Sequence, residues 1–192
     1  MNFLYFYFVK MLNTQIKTIV AIMDMDGFVV NKKFHCKELA LMRVGDDTAK
    51  SFFFDINLKE TDLSPKDRRT CRYVQEHIHK LPFDVPPHTE AIKISDLEVI
   101  VENFYQETKV NINSAIAYKG GHFERDLLAS LNIPSFNLEY LGCPKAEKLF
   151  DQLIWIETCG KHLTSNAHWH CPKVEVEAFG HWLETFGLLM AI

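Results

Sequence analysis

The sequence predicts an α/β domain: a mixed sheet with an antiparallel three-strand meander and further parallel strands, flanked by helices. Three observations carry this expectation. Three β-rich runs, Lys17–Asp26, Lys37–Val44 and Lys50–Ile56, follow one another through short connections, as an antiparallel meander requires. Beyond them strands and helices alternate before a long loop and a last helix. No linker divides the 192 residues, a length that suits one core.

The first run, KTIVAIMDMD, ends in two alternating carboxylates, and a period of two puts Asp24 and Asp26 on one face. Gly27 is expected to permit the turn that follows. Ser64 caps a helix opened by Pro65, with Asp67 favouring its dipole. That helix runs to about His79 and carries Lys66, Arg68, Arg69 and Arg72. Pro82–His88 is a proline-rich loop. Ser95 and Glu98 read as the capping box of a second helix, whose apolar face is Leu97, Ile100, Val101, Phe104 and Tyr105. Ile112–Tyr118 is a further strand, broken by Lys119-Gly120-Gly121 and followed by a helix over His122–Leu131. Ser135–Leu141 reads as a strand and Lys145–Leu153 as a helix. After a loop from Thr158 to His170, Pro172 opens the final helix.

At 47% hydrophobic and 24% charged residues, the chain has the composition of a folded protein. Its net charge of −4 speaks against a passive nucleic-acid binder, but suits an enzyme that gathers carboxylates around metal ions. Five cysteines, an odd count, with no secretory signal argue for a reducing compartment, cytoplasmic or nuclear. The apolar run Phe3–Val9 is too short to span a bilayer, so no membrane partner is expected. Residues 1–15 are set apart as an N-terminal extension, Met11 being a rival start, and 16–192 as a single domain.

The carboxylates suggest phosphodiester chemistry. Two divalent cations about 4 Å apart can bind a scissile phosphate and both reacting oxygens, given several convergent carboxylates. Asp24 and Asp26 end the first strand; Glu124 and Glu175 stand in the first turns of two helices. Asp126 is a rival for the role of Glu124. His170, just before the last helix, suits a general base at neutral pH.

The spacing Cys159-x2-His162-x8-Cys171 resembles three ligands of a structural zinc. The fourth stays open on spacing alone: Glu38, Cys143, His168 or His35.

MDMDGF, AYKGGHFERDLL and HCPKVE resemble, in order, the three motifs of the DEDDh, or DnaQ-like, 3′→5′ exonucleases of the RNase H-like superfamily. Departures are Asp at Asp26 where Glu is usual, and Glu at Glu124 and Glu175 where Asp is usual. The Cys-His-Cys spacing, Glu38 in KELALMRV and the IHKLPF stretch resemble the Maelstrom domain, a DnaQ-like fold with a Glu-Cys-His-Cys zinc motif. The resemblance implies two Mg²⁺ or Mn²⁺ on Asp24, Asp26, Glu124 and Glu175, His170 as general base, and one structural Zn²⁺ on Glu38, Cys159, His162 and Cys171. It implies a single-stranded RNA or DNA substrate cut from the 3′ end; Lys119 and the Arg68–Arg72 helix are candidates to meet phosphates, against the commoner reading of such charges as a solvated face. The alternative is a catalytically inactive Maelstrom-like RNA-binding or protein-interaction domain. A third is an internally cutting nuclease of the same superfamily.

Overall fold

The computed structural model describes residues 18–150, 157–163 and 170–190. The N-terminal extension, residue Leu153 and His168 lie outside them. Six strands form one sheet in the order β4-β3-β2-β1-β5-β6. They are β1 (Ile19–Val30), β2 (Lys33–Arg43), β3 (Lys50–Asp55), β4 (Ile92–Lys93), β5 (Ala115–Tyr118) and β6 (Ser135–Asn137). The helices are α1 (Pro65–His77), α2 (Leu97–Thr108), α3 (His122–Ser130), α4 (Ala146–Phe150) and α5 (Pro172–Met190). β1, β2 and β3 form the expected antiparallel meander. β5 runs parallel to β1, and β6 parallel to β5. This is the expected mixed α/β sheet, an antiparallel meander continued by parallel strands. The short edge strand β4, parallel to β3, was not anticipated.

The β1–β2 hairpin corrects the reading of Gly27. β1 continues through it, and the turn falls at Asn31-Lys32, both at positive φ (51° and 64°). Gly27 sits instead at a bulge, where the register passes from Asp26↔Glu38 to Gly27↔Cys36 and leaves Lys37 as the extra residue. A Cβ on Gly27 would lie 2.1 Å from the carbonyl oxygen of His35. The glycine therefore serves a close backbone approach, not a turn.

Alternation along β1 separates two cores. Ile22, with Ala40 and Met42 of β2, packs under α4 and α5, beside Val174, Ala178 and Phe179. Met23 and Met25, with Leu39 and Leu41, pack under α2 and α3. Asp24, Asp26 and Glu38 belong to the α5 face, because directly opposed residues of an antiparallel pair share a side.

Helix α1 starts as expected: Ser64 Oγ accepts from the Asp67 amide at 3.1 Å, with Pro65 in the first turn. The capping box of α2 is not formed. A 3₁₀ turn over Ile94–Asp96 precedes the helix, so Ser95 lies inside a helical turn and its hydroxyl meets Asp96 at 3.1 Å. The apolar face holds, with Val101, Phe104 and Tyr105 buried. β5 begins three residues late. Ser114 Oγ accepts from the amides of Val110 and Asn111, and Asn111 Oδ1 accepts from Asn113. These side-chain bonds make a turn that leaves Ile112 90% exposed. β6 likewise ends early, where Asn137 Oδ1 accepts from the Glu139 amide and starts a 3₁₀ turn. Among the described residues, no helix is long and apolar enough to cross a membrane.

Candidate metal centre and carboxylate cluster

Strand β2, the 157–163 loop and the start of α5 deliver Glu38, Cys159, His162 and Cys171 to one point. One ligand atom from each lies within 4.8 Å of all the others. A tetrahedral zinc with mixed sulfur, nitrogen and oxygen ligands has edges of about 3.3–3.8 Å, so little closure is needed. The side chains of Glu38 and His162 are 0% and 2% exposed, and Glu38 Oε2 stands 3.1 Å from His162 Nε2. Neither atom makes an aligned hydrogen bond. Every other polar atom of the pair is occupied. Ser51 Oγ donates to Glu38 Oε1 at 2.8 Å, and His162 Nδ1 donates to the carbonyl of His79. Once the imidazole gives up its Nε2 proton, as metal binding requires, one oxygen and one nitrogen lone pair face a common centre, the arrangement in which a metal-ligating histidine is held by its other nitrogen.

The sulfurs are prepared in the same way. The amides of Cys159 and Lys161 point at Cys171 Sγ (3.5 Å) and Cys159 Sγ (3.4 Å). The Cys159 thiol, followed by His162, lowers the Cys171 thiol to about 4, while Cys159 keeps its proton. Burial opposes charge on His162, but Cys171 and Glu38 hold it up to about 10. Two thiols, an imidazole and a carboxylate so placed could hold a metal ion such as zinc. Of the rival fourth ligands, Cys143 is buried in the α5 core with its Sγ 3.6 Å from the Pro144 carbonyl, and His35 faces a different cleft.

Beside this centre the four predicted carboxylates lie near enough for their charges to act on one another. Asp24 is raised well above the usual carboxylate range by burial, then by Glu175, Glu124 and Glu38. Asp26 is raised by burial and by Asp24. Burial and Asp26 push Glu175 up to about 8. Glu124 is 4% exposed and raised by burial, partly offset by its own amide and that of Met25. Its Oε2 has no hydrogen-bond partner. The carboxylate folds back over the start of α3, so close that a Cβ on Gly121 would lie 2.4 Å from Oε2. The rival Asp126 is exposed and bonded to Arg125 at 2.8 and 2.9 Å. Glu124 is therefore the member of this pair that joins the cluster.

His170 is half-buried in a cleft of about 230 Å³ with Glu175, Lys119 and Lys145. Burial lowers its pKa, so the ring is neutral at pH 7 and can accept a proton. A larger cleft of about 670 Å³ opens beside Met25 and Phe123, the neighbours of Asp24, Asp26 and Glu124 in sequence. The rings of Phe34 and Phe123 stack on its wall, with centroids 4.0 Å apart. Two of the α1 arginines are engaged within the protein. Arg68 donates to the carbonyls of Glu60, Thr61 and Leu63, and Arg72 pairs with Glu60.

His79, in the IHKLPF stretch, carries no sequence signal of its structural role. It is 1% exposed. Its Nδ1 accepts from the Leu81 amide and its Nε2 donates to the Gly27 carbonyl, each at 3.0 Å. Its own carbonyl receives His162. The Leu163 amide adds a bond of 2.8 Å to the Lys80 carbonyl. The metal loop is thereby tied to the bulge next to Asp26.

A scan of known protein families matches none of them to this chain, and a search of curated proteins returns no relative.

Proposed function

We propose that the chain is a metal-dependent 3′→5′ exonuclease acting on single-stranded RNA or DNA. The observation that carries this is the buried group Asp24, Asp26, Glu124 and Glu175: burial raises all four pKa values, and neighbouring carboxylates raise those of Asp24, Asp26 and Glu175 further. Such a cluster is costly on its own and becomes favourable around cations. Two Mg²⁺ or Mn²⁺ there would supply the charge that stabilises a phosphodiester transition state. Neutral His170 takes the proton of the attacking water. Phe34 and Phe123 offer a base the apolar faces on which single strands stack. The Glu-Cys-His-Cys group takes zinc in a purely structural role, since all four tetrahedral positions are filled by protein.

The test uses 5′-end-labelled single-stranded RNA and DNA with Mn²⁺ or Mg²⁺. The expected result is a ladder shortening from the 3′ end, and a loss of at least about a hundredfold in Asp24→Asn, which removes transition-state charge stabilisation. Short internal fragments from the first turnover would indicate an endonuclease. No cleavage and no Mn²⁺ binding would leave a binding module with relic carboxylates.

A further inference from the structure

The cleft that holds His170 and Glu175 is walled by two ammonium groups, Lys119 from the end of β5 and Lys145 just before α4. We propose that Lys119 and Lys145 form a phosphate seat, which retains the 5′-phosphate of the nucleotide released by hydrolysis. This rests on the exonuclease reading above.

The argument starts from charge. Four carboxylates and two divalent cations would balance in formal charge, so any excess positive charge for a more highly charged product must come from other groups. A phosphodiester brings one negative charge, and the 5′-monophosphate left after water attack brings nearly two. Two ammonium groups match that product better than the substrate. Their placement fits the reaction's direction. Water deprotonated by His170 forms the new P–O bond, the bond to the 3′-oxygen of the next nucleotide breaks, and that oxygen takes a proton from solvent. The phosphate thus stays on the released mononucleotide, on the side of the cleft that His170 and the lysines share.

Lys119 is committed to this wall. Its side chain is only 11% exposed, and its charge is felt at Glu175, whose pKa it lowers. Glu139 stands 3.4 Å from Lys119 Nζ but is itself half-exposed, so it holds the ammonium at the rim while leaving donors free. Lys145 is exposed and reaches the opening. Glu147 opposes both lysines from the same cleft and is felt at His170. It weakens the seat, and so provides a control of opposite sign.

The experiment is calorimetric titration of full-length protein with inorganic phosphate and with a nucleoside 5′-monophosphate, each with and without Mn²⁺. The matching nucleoside and 3′-monophosphate are run beside them. Mn²⁺ binding is measured separately on every sample. The 5′-monophosphate should bind, and the nucleoside and 3′-monophosphate at least about fivefold more weakly, one exposed-to-part-buried ion pair's worth. Lys145→Gln should weaken phosphate about threefold and Lys119→Gln more, whereas Glu147→Gln should tighten it. Loss of folding would not mimic this, because the series moves affinity in both directions. Absence of Mn²⁺ binding would overturn the exonuclease reading alone. Phosphate affinity indifferent to both lysines, or absent with and without Mn²⁺, would overturn the seat.

Discussion

At the scale of single residues, burial raises the pKa of each of the four carboxylates. Glu175 shows this in a form that pH can test. Its folded pKa is about 8 against an ordinary 4.5, raised by burial and by Asp26. Below pH 4.5 the group is neutral both folded and unfolded and costs nothing. Between 4.5 and 8 the unfolded chain releases the proton that the folded chain keeps, so stability falls as pH rises. Above 8 the whole penalty is present. Without Mg²⁺ or Mn²⁺, Glu175→Gln should therefore match wild type near pH 4.5 and exceed it by about 2 kcal/mol at pH 8.5, after allowing for solvent screening. Denaturant melts at the two pH values check this, and a pH-independent difference would refute it. Gly27 makes the complementary case, where space rather than charge decides. Gly27→Ala forces a Cβ into the His35 carbonyl, and the hairpin must shift next to Asp26. A cost of about 2–3 kcal/mol is expected from overpacking against backbone. Nuclease activity should fall with it, and a variant as stable and active as wild type would show that the bulge yields freely.

At the scale of elements, the sequence made some pieces visible because their signals are local. Asp24 and Asp26 share a face through the period of a strand, and Cys159, His162 and Cys171 lie within one short stretch. Glu38 completed the metal set only by resemblance. Its proximity depends on β2 pairing with β1 and on Ser51 of β3 holding one carboxylate oxygen, neither of which spacing can state. Elements failed where local chemistry outweighed propensity. Ile112 has the side chain of a strand, but Asn111 and Ser114 fold the backbone around it into a turn. Gly27 was read as a turn because a bulge is defined by its partner strand. His79 was not legible because nothing around it says that one ring will join two distant segments. It acts as a rivet between the loop of His162 and the bulge of β1. His79→Phe keeps the ring's packing on Phe28 but strands the Gly27 carbonyl and the Leu81 amide. Stability should drop by about 2 kcal/mol. Zinc affinity should drop about tenfold or more, as for other partners that orient a ligand from behind. Competition with a chromophoric chelator measures the second effect, and unchanged zinc affinity would mean that the rivet carries no strain to the metal loop.

At the scale of the whole molecule, the metal group and the carboxylates are two faces of one construction. The Cys171 backbone continues directly from His170, and the Cys171 carbonyl accepts the Glu175 amide at 2.9 Å. Fixing the Cys171 sulfur therefore fixes the start of α5, and with it both His170, the proposed base, and the carboxylate of Glu175. On the opposite flank Glu38 is the register partner of Asp26, and His79 connects His162 to Gly27. A metal on the four ligands would hold the carboxylate strand, His170 and the start of α5 in one frame. Catalysis is sensitive to such a frame, since a misplacement of about 1 Å costs roughly a hundredfold in rate. On the proposed reading single-strand affinity is less sensitive, because Phe34 and Phe123, the proposed stacking surface, pack with the core on the other face of the sheet. Cys171→Ser should therefore lose zinc and about a hundredfold in turnover, while its affinity for a single-stranded oligonucleotide changes by less than about threefold. His170→Ala should show the same loss of turnover with zinc retained. Zinc content, turnover and oligonucleotide affinity, measured on both variants and wild type, separate framing from chemistry. A Cys171→Ser protein that lacks zinc yet turns over normally would show that the two clusters are neighbours without being coupled.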